Sequence, residues 1–134
     1  TDQDNALVLD DRFDPQQHDD YFAALAQRGS DGLDACGYAY CKGGIMATNP
    51  RWRQPLWVWQ RYFRSWIQAP NAERLLHSNI FFDLDNLYGE ERLTDTLHTL
   101  TATEAGDSLA FLPAMSRNSL TRTPPTGLLR QFVL

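Results

Sequence analysis

Apolar positions along the chain change period several times, and each change marks an element. Ala6 to Leu9 is an apolar run directly behind Asp2, Asp4 and Asn5. It predicts a strand over 4–9, with Leu7 and Leu9 on one face and Ala6 and Val8 on the other. Apolar side chains on both faces mark a covered, central strand. Residues 10–14 read as a charged turn, and Pro15 announces a helix. Tyr21, Phe22, Leu25 and Ala26 recur at helical spacing, which predicts a helix over 18–28, punctuated by Gly29 and Gly32. Residues 33–40 fit a helix end or a short strand, and 41–50 read as a loop. A second helix is predicted over 54–68. Trp59, Tyr62, Phe63, Trp66 and Ile67 form its apolar stripe, Arg53, Gln60 and Arg64 lie mainly off it, and Pro70 stops it.

Residues 72–77 predict a short helix. Residues 79–88 then predict a strand, with Ile80, Phe82 and Leu84 facing away from Phe81, Asp83 and Asp85. From 90 to 122 the pattern is mostly helical, with one stripe at Leu93, Leu97 and Leu100 and a second at Leu109, Leu112, Met115 and Leu120. Thr123 to Gly127 is a proline-rich boundary, and 128–134 reads as an element cut midway. The sum is an α/β (α+β) chain: a small mixed sheet carrying the acids, helices covering it, and a helical C-terminal part. A division into 1–104 and 105–134 follows.

Composition narrows the picture. The chain has 134 residues, 43% of them apolar, which is one domain with a real core. A formal net charge of −5 argues against a protein that mainly grips nucleic acid. No run approaches the roughly 18 apolar residues of a membrane span, and no signal peptide is visible. The start lacks Met, so an excised piece of a longer protein is expected. Cys36 and Cys41 are too few for a disulfide framework and lack zinc-motif spacing, so they read as free thiols of a cytoplasmic protein.

Three groups of residues carry chemistry. Asp2 and Asp4 sit two apart at a strand's edge and so share a face, where carboxylates can hold a hard cation such as Mg2+. Two such ions about 3.5–4 Å apart serve in-line phosphoryl displacement. Asp83 could join them from a neighbouring strand, with Asp85 as its rival. The same acids also suit a strand cap or a solvated turn. Lys42-Gly43-Gly44 could cradle a phosphate with backbone N–H groups or be a tight turn; it lacks the P-loop ending. Arg51, Arg53, Arg61 and Arg64 with Trp52 and Trp57 could bind phosphates and stack a base, or be a solvated helix face. His18, His77 and His98 form no convincing metal set.

Together these stretches resemble a known family. Residues 1–8, Thr-Asp-Gln-Asp-Asn-Ala-Leu-Val, resemble the metal-binding strand of nucleotidyltransferases of the DNA polymerase beta type. Residues 41–53, from Cys41-Lys42-Gly43-Gly44 to Arg51-Trp52-Arg53, and Ile80-Phe81-Phe82-Asp83-Leu84 with Leu87-Tyr88-Gly89 narrow the match. They resemble the DUF294 nucleotidyltransferase domain of bacterial signalling proteins, related to the N-terminal domain of PII-protein uridylyltransferases. Met115 to Leu120, ahead of Pro124 to Leu128, resembles the start of that family's helical C-terminal domain.

The resemblance implies a truncated polymerase-beta-like fold and transfer of a nucleotidyl group from a nucleoside triphosphate to a protein or small acceptor. It implies Mg2+ on Asp2, Asp4 and Asp83, and nucleotide binding around Lys42, Gly43, Gly44 and Arg51. Cyclic-nucleotide-binding and CBS domains are expected upstream in the parent chain. The family's Gly-Ser element, which binds the triphosphate, precedes the acidic strand. It would lie before Thr1, so the fragment alone is not expected to turn over. The alternative is a regulatory nucleotide-binding or interaction module.

Overall fold

The computed structural model describes residues 2–120. Within them the α/β class holds: short parallel strands lie under five α-helices. The strand expected over 4–9 is used in two halves. β1 (Asp2–Gln3) pairs in parallel with β3 (Ala39–Tyr40), and β2 (Leu7–Leu9) pairs in parallel with β4 (Arg53–Pro55). Both described pairings are parallel, where a mixed sheet was expected. Between the halves Asn5 N–H donates to Ile45 O at 3.1 Å, and Asn5 Oδ1 accepts from Ala47 N–H at 2.9 Å. One extended stretch thus changes partner at Asn5, because the polar side chain there binds the 41–49 loop.

α1 (Pro15–Ala35) begins three residues before its expected start and ends seven after its expected end. Its start is set by Pro15 in the first turn and by Asp14, whose side chain accepts from Gln16 N–H at 2.9 Å. Gly29 and Gly32 do not stop it, since a glycine inside a helix costs only about 1 kcal/mol. Gly37 does, with φ +97°, while Tyr38 N–H returns to Leu33 O and Gly37 N–H to Asp34 O. The ambiguous 33–40 segment therefore contains both a helix end and a strand. Tyr21 and Leu25, expected on the buried stripe, are exposed; Ala26 and Ser30 are the buried positions of α1.

α2 (Leu56–Gln68) starts two residues later than its pattern suggests, because Arg53 to Pro55 pair with β2. Asp11 Oδ1 accepts from Trp57 N–H at 2.9 Å, which satisfies a free donor of its first turn from a distant loop. At the other end Arg74 Nη1 donates to Ala69 O at 2.7 Å. α3 (Ala72–Phe81) overturns the strand expected over 79–88. Leu75, Ser78 and Phe81 are buried at intervals of three, a helical stripe that continues into the apolar run, and the alternation seen at 80–85 was coincidental. Residues 82–90 then form an irregular segment that opens with a turn at 82–83. α4 (Glu91–Gly106) buries Leu93, Leu97 and Leu100 as expected. α5 (Phe111–Leu120) faces the core with Phe111, Ala114 and Met115, whereas Leu109, Leu112 and Leu120 are exposed. The boundary at 123–127 and the element at 128–134 lie outside the described residues.

The core is aromatic. Trp52, Trp59, Phe63, Trp66 and Phe81 are buried together, and Trp59 and Phe63 are wholly inaccessible. Trp59 lies 5.0 Å from Phe81 and 5.9 Å from Trp52 between ring centroids, and its Nε1 donates to Leu7 O at 3.0 Å. The α2 stripe is thus core, not a base-stacking surface. Truncating Trp66 to Ala should cost about 3–5 kcal/mol. A denaturant titration checks this, and near-normal stability would contradict the burial.

His77 is caught in this cluster, 5.1 Å from the Trp52 ring and 5.5 Å from Trp66. Its Nδ1 has no hydrogen-bond partner among the described residues. Burial, and then the Arg51 charge, lower its pKa from the usual 6.5, against a weaker pull from Glu73. Below 6.5 the unfolded chain takes up a proton that the folded chain resists. Stability from this group is therefore complete above pH 6.5 and declines as pH falls through the lowered folded value. Replacing His77 by Phe should flatten that part of the acid slope. Denaturant midpoints on either side of pH 6.5 test it, and an unchanged slope would remove His77 as the titrating group.

Candidate functional site

The parallel β1–β3 register builds the site. Asp2 lies opposite Ala39 and Gln3 opposite Tyr40, so the next step along both chains sets Asp4 beside Cys41. Gln3 points inward and is buried; its Nε2 donates to Ser30 O at 3.0 Å and to Tyr38 O at 2.9 Å. Alternation then turns Asp2 and Asp4 outward together, and both are exposed. Carboxylate oxygens of Asp2 and Asp4 and the Cys41 Sγ all lie within 4.8 Å of one another. Among the described residues this is the one group of three or more side chains arranged to share a metal ion.

The 41–49 loop is held from beneath. Gly44 N–H donates to Cys41 O at 3.1 Å and closes the turn, and Gly44 has φ +69°, which a side chain would strain. Asn49 Nδ2 donates to Gly44 O at 3.3 Å. Arg53 anchors the far side. Its guanidinium, with the side chain only 3% exposed, donates to Ala47 O at 2.8 Å and Thr48 O at 3.3 Å. The same group forks onto both Asp19 oxygens, at 2.9 and 3.2 Å. Those bonds hold the Asp19 pKa below the ordinary carboxylate value. Arg53, expected either to bind phosphate or to lie on a solvated helix face, is a buried strand residue paired with Asp19.

A cleft of about 610 Å3 opens beside Asp4. Its floor is the Asp4–Val8 stretch, one wall is α1 at Leu25, Gly29 and Leu33, and the other is the 83–90 segment. Asp83 and Asp85 both line it with Asp4. Asp83 was expected on a strand neighbouring Asp4 and lies instead in the turns after α3. The two share a cleft but not a sheet, and Asp83 does not enter the three-membered cluster of Asp2 and Asp4.

The remaining candidates spread out. Lys42 and Gly43 occupy the turn next to Cys41 and are exposed, while Gly44 has committed its N–H to the turn. Arg51 pairs with Glu73 at 3.2 Å and stacks its guanidinium 4.7 Å over Trp52, so it is held on the side of α3. Cys41 escaped notice as a site residue because no sequence spacing links it to Asp2 and Asp4.

Two outward carboxylates thus stand at the edge of a parallel strand pair, next to a cleft lined by two further acids. Residues 1–73 match the family model described as "Putative nucleotidyltransferase DUF294", and the chain belongs to that family. It is therefore nucleotidyltransferase-like. No curated protein and no solved structure gives a match. No helix among the described residues is long and apolar enough to cross a membrane.

Because Arg53 ties the site loop to α1, Arg53→Ala should destabilise the fold by about 2–3 kcal/mol, the cost of leaving buried carbonyls without their donor. Arg53→Lys should recover only part, since a lysine cannot make the fork. Chemical denaturation of the two variants checks the ranking. A loss within about 0.5 kcal/mol, the range of an ordinary surface change, would refute the anchoring role.

Proposed function

We propose that the domain transfers a nucleotidyl group from a nucleoside triphosphate to an acceptor, with Mg2+ held by Asp2 and Asp4. The observation that carries the reading is the pair itself: two exposed carboxylates on one face, beside the cleft, with no competing partner among the described residues. Family membership supports the same reaction class. Mg2+ bound there would neutralise phosphate charge and polarise the phosphorus under attack.

The chain's own groups have separate tasks in this reading. Asp2 and Asp4 supply the negative charge that draws the ion. Asp83 is the third carboxylate across the cleft, and Asp85 is its rival. Lys42 offers an exposed cation to the phosphates and Gly43 its backbone N–H, while Gly44 serves by holding the turn. Arg51 would have to leave Glu73 to reach a phosphate. The nearest chemical analogy is uridylyl transfer to a protein in bacterial signal transduction. It would take place in the cytoplasm, with cyclic-nucleotide-binding and CBS domains upstream.

A second reading has its own support. The metal-ready cluster closes on Cys41 rather than on Asp83, which favours a regulatory module that binds nucleotide without turnover. Asp4→Asn separates the two. The amide keeps the shape and removes the charge that attracts Mg2+. Pyrophosphate release by the intact protein with Mg2+ and a panel of triphosphates should vanish in this variant. Its stability should hold or rise, because Asp2 then loses a like-charged neighbour. Equal release from both forms would take Asp4 out of the mechanism. Nucleotide binding by the wild type without any release would favour the regulatory module.

A further inference from the structure

We infer that Cys41 joins Asp2 and Asp4 as a thiolate ligand, so that the site takes a thiophilic divalent ion of the zinc class in competition with Mg2+. The inference rests on the reading of Asp2 and Asp4 as metal ligands and adds to it a regulation by metal identity. The geometry comes from the fold: β1 and β3 run parallel, and one step past their last pair Asp4 and Cys41 stand side by side. All three ligand atoms fall within 4.8 Å. Zinc binds thiolate at about 2.3 Å and carboxylate oxygen at about 2.0–2.2 Å, so small rotations of the exposed Asp2 and Asp4 side chains bring the set onto one ion. Those carboxylates have no other side-chain partner among the described residues to give up.

Cys41 is fixed where the carboxylates are free to adjust. Its carbonyl accepts from Gly44, its N–H donates to Met46 Sδ at 3.3 Å, and its side chain is half-buried against the core. The thiol is free rather than disulfide-bonded. Two carboxylates and a thiolate leave a fourth tetrahedral position open to water or to a phosphate oxygen. Mg2+ demands six oxygen ligands in octahedral array and gains nothing from sulfur, whereas Zn2+ and Co2+ do. As the metal–sulfur bond forms, the thiol proton passes to solvent. Zinc-class ions therefore occupy Asp2 and Asp4 at low concentration and raise the Mg2+ needed to fill the site.

Titrating the full chain with Co2+ reads the sulfur bond directly, through a thiolate-to-cobalt charge-transfer band in the near ultraviolet. The band should appear in the wild type and in Cys36→Ser, and disappear in Cys41→Ser and Cys41→Ala. Cobalt affinity should fall at least about tenfold in both Cys41 variants, the minimum expected for losing a ligand. Zn2+ should displace Co2+ far more effectively than Mg2+ does. Circular dichroism confirms that the variants fold. Cobalt binding that Asp4→Asn weakens, but with no charge-transfer band, would overturn the role of Cys41 and leave the carboxylate site standing. So would a band that survives in Cys41→Ser. Failure of Co2+, Mn2+ and Mg2+ to bind the wild-type chain would overturn both.

Discussion

The buried guanidinium of Arg53 is the constraint on which the rest of the structure depends. It leaves β4, a strand too short to be stable by itself, and makes four hydrogen bonds to two other parts of the chain, α1 and the 41–49 loop. Burying such a charge is costly unless each donor finds an acceptor. The chain meets that demand with Ala47 O, Thr48 O and both oxygens of Asp19. The demand therefore fixes where the 41–49 loop and α1 must sit relative to β2. Apolar burial alone would not do this, since α1 buries little beyond Ala26 and Ser30. The helix is held on the sheet by polar ties: Asp19 to Arg53 at one point and Ser30 O to Gln3 at another.

The site inherits this arrangement. Asn5 reaches across to Ile45 and Ala47, and Arg53 grips Ala47 from below, so residue 47 is held from both sides. With the loop held, β3 and Cys41, which lead into it, keep a fixed register against β1. A shift of one residue would turn Asp2 and Asp4 inward and bring Gln3 to the surface, with both its acceptors, Ser30 O and Tyr38 O, lost. Gln3 thus acts as the register key: its inward bonds to Ser30 O and Tyr38 O are what keep the two acids outward. The neighbouring cleft is walled by α1 on this side, with small residues at Ala26, Gly29 and Ser30 between Leu25 and Leu33. Gly29 has open space where a Cβ would project, and it is one of the lining residues.

Much of this was legible in the chain before its structure. The α2 stripe, the α4 leucines, the strand behind Asp4 and the shared face of Asp2 and Asp4 follow from period alone. The family match covers residues 1–73, which hold the motifs at 1–8 and 41–53; the stretches at 80–89 and 115–128 that also carried the resemblance lie outside it. Residues 79–88 misled because Ile80-Phe81-Phe82 is a continuous apolar run, which periodicity cannot assign. Leu75 and Ser78 hold the deciding evidence, since with Phe81 they carry the helical stripe past residue 77. Arg53 misled for a different reason. Three residues before an aromatic helix, an arginine looks like part of the solvated face, and only tertiary pairing of β4 with β2 turns it inward. Cys41 was invisible because parallel pairing is non-local: its partner lies nearly 40 positions away, with α1 between them.

Asp4 has a place that neither Asp2 nor Asp83 has. It belongs to the cluster with Asp2 and Cys41 on one side and lines the cleft with Asp83 and Asp85 on the other. Asp4 therefore stands where the cluster meets the cleft, and the carboxylates that line the cleft repel a bare anion entering it. The change of strand partner at Asn5 is what makes this possible. It ends the β1 pairing just before Asp4, so that Asp4 keeps the outward direction of its strand while standing where the sheet opens into the cleft. The chemical asymmetry of the site is thus set by one backbone event, the handover from β3 to the 45–47 loop.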